Sequence, residues 1–398
     1  MRSPQDVSTA VAKLYDTYPF PPDPLSDNPP PGYNWRWNWN TAYSFCTGQK
    51  PSRQAVRILD AGCGSGVSTE YLAYLNPQAE VIGIDLSAGT LAVAKERCDR
   101  TQGANRVQFQ QLSLFDADQL EGEFDLINCV GVLHHTADPI QGIQALAKKL
   151  APGGIFHIFV YGELGRWEIQ LMQQAISLLQ GDKRGDYTDG VQVGRQIFAA
   201  LPDHNRLKKR EQERWSLENH RDECFADMYV HPQEIDYSIP TLKTLIEASG
   251  LSFLGFSNPS VWQLDRLVGS NPDLLHRAAH LDEWERYRLI ELLDPESIAH
   301  YEFFLGRPPL PRADWSQDDA LLAAIPSLNP CINGWPSNCL FNADYQIVNL
   351  SAADVAFLEA VDSPETRSIG QLLNQVEFSL EQVRSLLVQQ ILLLSPGA

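Results

Sequence analysis

The segment that most constrains this chain is Val56-Arg-Ile-Leu-Asp60-Ala-Gly62-Cys63-Gly64-Ser-Gly66. An apolar run ending in an aspartate reads as a buried strand. Glycines at alternate positions after it let the backbone turn tightly and approach a ligand at the strand's carboxyl end before the next helix begins. The dinucleotide-binding fingerprint needs its third glycine three residues after the second, whereas here Gly66 follows Gly64 by two and Asp60 precedes Gly62 by two. A hydride-transfer cofactor is therefore disfavoured at this loop.

From Ala55 onward, short apolar runs alternate with helical periodicity, the pattern of βαβ units and of a largely parallel, doubly wound sheet. The spacing predicts strands over 56–60, 80–85, 107–111, 124–130 and 154–161, helices over 66–75, 88–101 and 138–150, and a turn at Pro152-Gly153-Gly154 into the fifth strand. Residues 162–181 read as a helix with Trp167, Leu171, Ala175, Leu178 and Leu179 on one apolar face. A polar helix-and-loop stretch follows to about residue 236. Ser238-Ile-Pro240 then opens a helix ending at Gly250, residues 251–256 and 300–305 read as strands, and 281–293 as a helix. Beyond Arg307-Pro-Pro-Leu-Pro311, Ser351-Ala-Ala-Asp354 and Ser379-Leu-Glu-Gln382 fit capping boxes, with short strands at 340–341 and 346–348.

Residues 1–50 hold a short helix over 7–15 and the stretches Tyr18-Pro-Phe-Pro-Pro-Asp-Pro24 and Asn28-Pro-Pro-Pro-Gly32. Proline at this density removes amide donors and favours extended chain. Tyr15, Tyr18, Phe20, Tyr33, Trp35, Trp37 and Trp39 are too aromatic for a solvated segment, so the arm is expected to lie on the rest of the protein. The expected organisation is an arm (1–50), a ligand-binding core (51–162), a helical insertion (163–250), a completion of the core sheet (251–310) and a small C-terminal α+β module of winged-helix type (311–398).

Fifty Asp+Glu against 31 Lys+Arg leave a formal charge of −19, and the one basic block is Arg206-Leu-Lys-Lys-Arg210, so no nucleic-acid partner is expected. No run approaches the roughly 18 apolar residues that span a bilayer, and Met1-Arg-Ser-Pro-Gln-Asp6 lacks the apolar stretch of a secretory leader. A cytoplasmic protein with no membrane span is the expectation. The seven cysteines are odd in number and none forms a Cys-x-x-Cys pair, which supports neither a disulfide framework nor a metal centre. Oligomeric state is left open.

Further motifs follow the glycine loop in order: Val81-Ile-Gly-Ile-Asp85-Leu86-Ser87, then Phe124-Asp-Leu-Ile-Asn-Cys-Val130-Gly131-Val-Leu-His134-His135, then Leu150-Ala-Pro-Gly-Gly154. With the glycine loop, this set resembles the motifs of the class I S-adenosylmethionine (SAM)-dependent methyltransferases, over roughly residues 55–160. The resemblance implies a Rossmann-like sheet, SAM as cofactor and S-adenosylhomocysteine as product. It implies a cofactor site from Asp60, Gly62, Cys63, Gly64 and Gly66, from Asp85, Leu86 and Ser87, and from Val130, Gly131 and His134, with Asp85 on the ribose hydroxyls. The third strand departs from the family pattern: Ser113 stands where an adenine-binding Asp is common, so Ser113, Leu114 or Asp116 is expected to hold the adenine. The resemblance further implies that the arm, with Tyr15, Tyr18, Trp35, Arg36 and Trp37, closes over SAM, Arg36 pairing with its carboxylate or stacking between the two tryptophans.

Methyl transfer is an in-line displacement, so the protein must align an acceptor lone pair and remove any surplus proton. Candidate catalytic residues are His134 and His135 after the fourth strand, Tyr161 at the end of the fifth, and Asp227, Tyr229 and His231 in the insertion. The acceptor, through O or N, is expected to be a small molecule such as a quinol or phenol. The alternatives are a protein substrate, since the layout more loosely resembles the cyanobacterial methyltransferases that modify an asparagine of phycobiliproteins, and a protein that binds SAM without catalysis.

Overall fold

Strands β1 (Arg57–Ala61), β2 (Glu80–Asp85), β3 (Val107–Gln111), β4 (Phe124–Val130), β5 (Leu150–Tyr161), β6 (Ser252–Phe256) and β7 (His300–Gly306) form one sheet of order β3-β2-β1-β4-β5-β7-β6. The computed structural model describes residues 4–101 and 106–397. Met1, Arg2 and Ser3 of the stretch read for a leader, and Ala398 of the C-terminal module, lie outside the described residues. The first five strands are parallel, whereas β7 runs antiparallel between β5 and β6. The central strands β1, β2 and β4 are buried along almost their whole length because a parallel sheet is covered on both faces. Strand order reverses at β1, which is flanked by β2 and β4, and this opens a crevice beyond their carboxyl ends.

The expected strand positions are present, with one difference. Strand β5 begins at Leu150, so Pro152-Gly153-Gly154 lies inside it instead of forming a turn before it. Gly153 takes a φ of +78°, and the ladder shifts register between Phe124 and Leu126, as at a bulge.

The helices in chain order are α1 (Pro4–Thr17), α2 (Trp39–Thr47), α3 (Val67–Leu75), α4 (Ala88–Arg100), α5 (Pro139–Ala147), α6 (Trp167–Gln180) and α7 (Tyr187–Ala200). Then come the short α8 (Arg206–Arg210) and α9 (Ser216–Asn219), α10 (Asp222–Tyr229), α11 (Ile239–Ser249), α12 (Asp265–Val268), α13 (Pro272–Ala278) and α14 (Glu283–Leu293). Their starts follow from capping chemistry: the Ser87 hydroxyl accepts the Thr90 N–H ahead of α4, and Asp138 accepts the Gln141 N–H with Pro139 at the first turn of α5. Helix α6 presents a different face from the one its leucines suggest. Ile169, Met172 and Ile176 are buried against α7 and α10, while Leu178 and Leu179 are 74% and 67% exposed. The i, i+3, i+7 stripe of β-branched residues and methionine meets its neighbours, and the leucines point outward.

The proline-rich arm is laid on the core. The Phe20 carbonyl accepts the Ser65 N–H, Pro21 O accepts the Ser65 hydroxyl, and the Asp23 and Pro24 carbonyls accept from Arg97. Main-chain carbonyls freed by a proline-rich stretch thus find donors on the glycine loop and α4. Further on, Trp35 is buried, its indole N–H donating to Asp344, and Tyr33 stacks on Tyr345 at 4.4 Å.

That contact ties the arm to residues 312–397. There α15 (Asp318–Ala323) precedes a two-stranded ladder of β8 (Ile325–Leu328) with β11 (Leu392–Ser395), and β9 (Cys339–Phe341) pairs with β10 (Ile347–Asn349). Between β10 and β11 lie α16 (Ala352–Val361), α17 (Ile369–Leu373) and α18 (Leu380–Val388), whose capping boxes at Ser351, Ser368 and Ser379 are all closed. Their inner faces, with Phe357, Leu358, Ile369, Val383 and Leu386, make a separate hydrophobic core. Tyr33→Phe removes a buried hydroxyl that donates to Asn342 O at 2.6 Å, and should cost about 1 kcal/mol in urea unfolding. An unchanged midpoint would mean the hydroxyl adds nothing to this docking. No helix among the described residues is long and apolar enough to cross a membrane.

Candidate active site

Strand β1 delivers the chain into the glycine loop, and all three glycines take left-handed φ: +77° at Gly62, +52° at Gly64 and +83° at Gly66. Each is also closely approached. A Cβ would lie 2.4 Å from a methyl of Val132 at Gly62, 2.4 Å from the Phe20 carbonyl at Gly64 and 2.7 Å from the Ala94 side chain at Gly66. The loop therefore accepts no side chain at these places without displacing the turn after β4, the arm or α4. At the end of β2, Asp85 accepts the Gly64 N–H on Oδ2 and the Ser87 N–H on Oδ1, both at 2.9 Å. Burial raises its carboxyl above the usual range, against the pull of these backbone donors.

Asp60 does not reach the cavity surface. It sits beneath the loop, where Oδ2 accepts the Ser68 and Thr69 hydroxyls at 2.7 and 2.6 Å and Oδ1 accepts Asn128 Nδ2 at 2.7 Å. Asn128 Oδ1 in turn lies 3.0 Å from the donating Trp37 indole nitrogen and 2.8 Å from His157 Nδ1, whose other nitrogen is 3.1 Å from Glu302. Arg36 closes the chain with its Nε 2.6 Å from Glu302 Oε2. It thus ends on Glu302 and Ser257, with its guanidinium also over the Trp35 ring at 4.6 Å, and does not line the cavity.

A cavity of about 350 Å³ opens at the switch point. It is lined by Gly62, Cys63, Gly64, Asp85 and Leu86, by Ser113 and Leu114 after β3, and by Val130 and Gly131 at the end of β4. His135, Tyr161 and Asp227 line it too, as do Tyr15, Phe20 and Trp37 of the arm. Gly131 has a φ of +78° and open space where a Cβ would point.

The polar groups around His135, Tyr161 and Asp227 are interlocked. His134 is wholly buried with both ring nitrogens lacking a hydrogen-bond partner, its ring 4.1 Å from His135 and 4.0 Å from Tyr161. The His135 ring stacks on His231 at 3.6 Å, and its Nδ1 is 2.9 Å from the Gln233 carbonyl. His231 Nδ1 accepts the Gln233 N–H at 3.2 Å, and its Nε2 is 3.3 Å from the Tyr15 oxygen. Tyr15 donates to Asp227 Oδ1 at 2.9 Å. Burial pushes the Asp227 carboxyl up to about 6 despite the Tyr15 hydrogen bond and the Arg166 charge, and holds His135 down to about 3. The Arg166 guanidinium lies 3.4 Å above the Tyr161 ring and 3.4 Å from Glu234.

Of the expected catalytic set, His135, Tyr161 and Asp227 face the cavity, His134 and His231 pack directly behind them, and Tyr229 turns away to donate to Glu211. The pairing of Tyr15, expected only as part of the arm, with Asp227 and the part played by the Gln233 main chain have no local sequence signal. Tyr15 is 212 residues from Asp227, and a backbone amide has no identity in a sequence. His135, Asp227 and His231 bring ligand atoms within 4.8 Å of one another, although no metal centre is expected from the sequence.

A family model described as a methyltransferase domain matches residues 59–156. Over 396 residues the chain is 61% identical to an uncharacterized protein of Synechococcus sp., covering 99% of this chain and 95% of that one. A stretch of 102 residues is 74% identical to an uncharacterized phycocyanin operon protein W of Pseudanabaena tenuis, covering 26% of this chain and 95% of the other. Among solved structures, PKMT2 from Rickettsia typhi in complex with AdoHcy superposes with a TM-score of 0.61 at 17% identity, over 92% of this chain and 77% of that one, a likeness of fold.

Proposed function

The chain belongs to the class I SAM-dependent methyltransferases, and from that premise we propose that it methylates a side-chain amide nitrogen of a protein, the asparagine of a phycobiliprotein. The cofactor is SAM, which supplies an electrophilic methyl group on a sulfonium centre when bound. The cradle of Gly62 and Gly64, the open face at Gly131 and the Asp85 carboxylate, raised by burial and ready for hydroxyl donors, fit its presence. Asp85 would take the ribose hydroxyls, Ser113 and Leu114 the adenine, and the Gly62–Gly64 backbone the methionine part.

The observation that carries the acceptor reading is the polar lining of the same cavity by Tyr161, Asp227 and His135. An amide nitrogen is a poor nucleophile: its carbonyl must be held and its proton accepted. Tyr161 and Asp227 meet those two needs in one cavity, which His135 also lines. A quinol or phenol, the acceptor expected from the sequence, needs proton removal alone and leaves Tyr161 without a task. The relative encoded in a phycocyanin operon supports the choice of protein.

The test is incubation of the full chain with labelled SAM, an unmethylated phycobiliprotein and, separately, a set of phenols and quinols. Label in one asparagine peptide, showing a one-methyl mass increase, is the expected result. Label confined to the phenol or quinol extracts would overturn the amide reading.

A further inference from the structure

The main chain of Gln233 touches two histidines in opposite senses. Its carbonyl lies 2.9 Å from His135 Nδ1, so that nitrogen carries the proton and His135 Nε2 holds a lone pair. Its N–H donates to His231 Nδ1 at 3.2 Å, which places the proton of neutral His231 on Nε2. Both rings are kept neutral because burial disfavours the imidazolium form. His231 Nε2–H then points at the Tyr15 oxygen, and the Tyr15 hydroxyl donates onward to Asp227 Oδ1. The result is a one-way series of donors, Gln233 to His231 to Tyr15 to Asp227, that engages Oδ1 and leaves Oδ2.

The same polarity decides against a cation at His135, Asp227 and His231. Histidines that bind metal donate their second nitrogen to a carbonyl or carboxylate. His135 satisfies this, but His231 has its second nitrogen accepting an N–H, so its Nε2 has no lone pair to give.

We propose that Asp227 Oδ2 takes the proton lost by the methyl acceptor, and that Tyr15, His231 and the Gln233 backbone are positioning groups that hold Asp227 for it. In this step the acceptor's N–H or O–H bond breaks, its electron pair stays on the acceptor atom, and an O–H bond forms on Asp227, which returns the proton to water between turnovers. The inference rests on the methyl-transfer reading and on no acceptor more specific than one that must lose a proton. Because Tyr15 belongs to α1, the proton acceptor is fully held only with the N-terminal helix docked.

Tyr15 of α1 and Arg166 after β5 act on the Asp227 carboxyl, and its charge in turn is felt by Tyr161 ending β5, Cys224 of its own helix and Glu234 of the following loop, with His135 and His231 beside it. Loss of the Tyr15 hydroxyl removes a donor to the ionised carboxylate and so raises its pKa.

Infrared titration of the ligand-free full chain reads this directly. A buried carboxyl band should titrate near 6 in the native protein and vanish in Asp227→Asn. In Tyr15→Phe its midpoint should rise by about one pH unit, for one hydrogen bond lost by the charged form. With an acceptor in hand, Asp227→Asn should lower kcat at least about a hundredfold, and the acid limb of the Tyr15→Phe rate profile should move with the infrared midpoint. An unmoved midpoint in Tyr15→Phe, with the circular dichroism spectrum native, would overturn the series. So would stoichiometric Zn²⁺ binding by calorimetry that is abolished in His231→Gln, and so would kcat in Asp227→Asn above about a tenth of native. The infrared arm needs neither SAM nor an acceptor, so a wrong acceptor would fail the labelling experiment and leave this result standing.

Discussion

Glu302→Ala is expected to lower the unfolding free energy by about 3–5 kcal/mol, the range for removing one partner of a buried ion pair. The carboxylate lies 2.6 Å from Arg36 Nε and 3.1 Å from His157 Nε2, and accepts the Ser257 hydroxyl at 2.6 Å. The Arg36 and Glu302 side chains are 17% and 15% exposed, so water can replace little of what alanine removes. Glu302→Gln keeps an acceptor for the hydroxyl and the guanidinium, and should lose less. The pH dependence gives a second check. Burial alone would raise the Glu302 carboxyl, but His157, Arg36 and Ser257 hold it down at about 2. A carboxyl depressed on folding contributes stability that is present above its unfolded pKa, roughly 4.3, and is lost as pH falls through the folded value. Native protein and Glu302→Gln should therefore differ most above pH 5 and converge toward pH 2. Urea unfolding at pH 7 that costs Glu302→Ala less than about 1 kcal/mol would show that solvent enters this network freely.

That network marks the limit of what the sequence discloses. Four of the five parallel strands are legible because each holds a short apolar run bounded by a turn or a cap, and β3, Val107-Gln-Phe-Gln-Gln111, because it alternates apolar and polar residues; local patterning suffices for them. The glycine loop is legible because its backbone needs φ values that only glycine adopts cheaply. Arg36, read either as a partner for the cofactor's carboxylate or as stacked between Trp35 and Trp37, lies over the Trp35 ring and pairs with a glutamate 266 positions away, on an antiparallel strand that no local pattern links to it. Helix α6 misleads for a related reason. The face of Trp167, Leu171, Ala175, Leu178 and Leu179 outnumbers Ile169, Met172 and Ile176 in a count of apolar residues, and only the position of α7 and α10 decides which stripe is covered. Tyr15 is read as part of a lid, and its bond to Asp227 also joins it to the polar cluster of the insertion.

The second large effect falls on the cofactor. Asp85→Ala should weaken S-adenosylhomocysteine binding at least about tenfold, roughly 1.4 kcal/mol, as read by calorimetry. Two causes are superimposed in that loss. Asp85 accepts the Gly64 and Ser87 N–H groups, so its removal unties the loop as well as taking away the proposed partner of the ribose hydroxyls. A double-mutant cycle separates them. S-adenosylhomocysteine and an analogue lacking one ribose hydroxyl are each titrated into native protein and Asp85→Ala. If the carboxylate holds the hydroxyls, the analogue binds native protein less tightly, and Asp85→Ala no longer tells the two ligands apart. If Asp85 serves the loop alone, the variant weakens both ligands by the same factor and the hydroxyl keeps its full contribution in either protein. That second pattern would move the ribose contact away from the end of β2 and leave Asp85 as a brace for Gly64, whose missing Cβ would otherwise meet the Phe20 carbonyl at 2.4 Å.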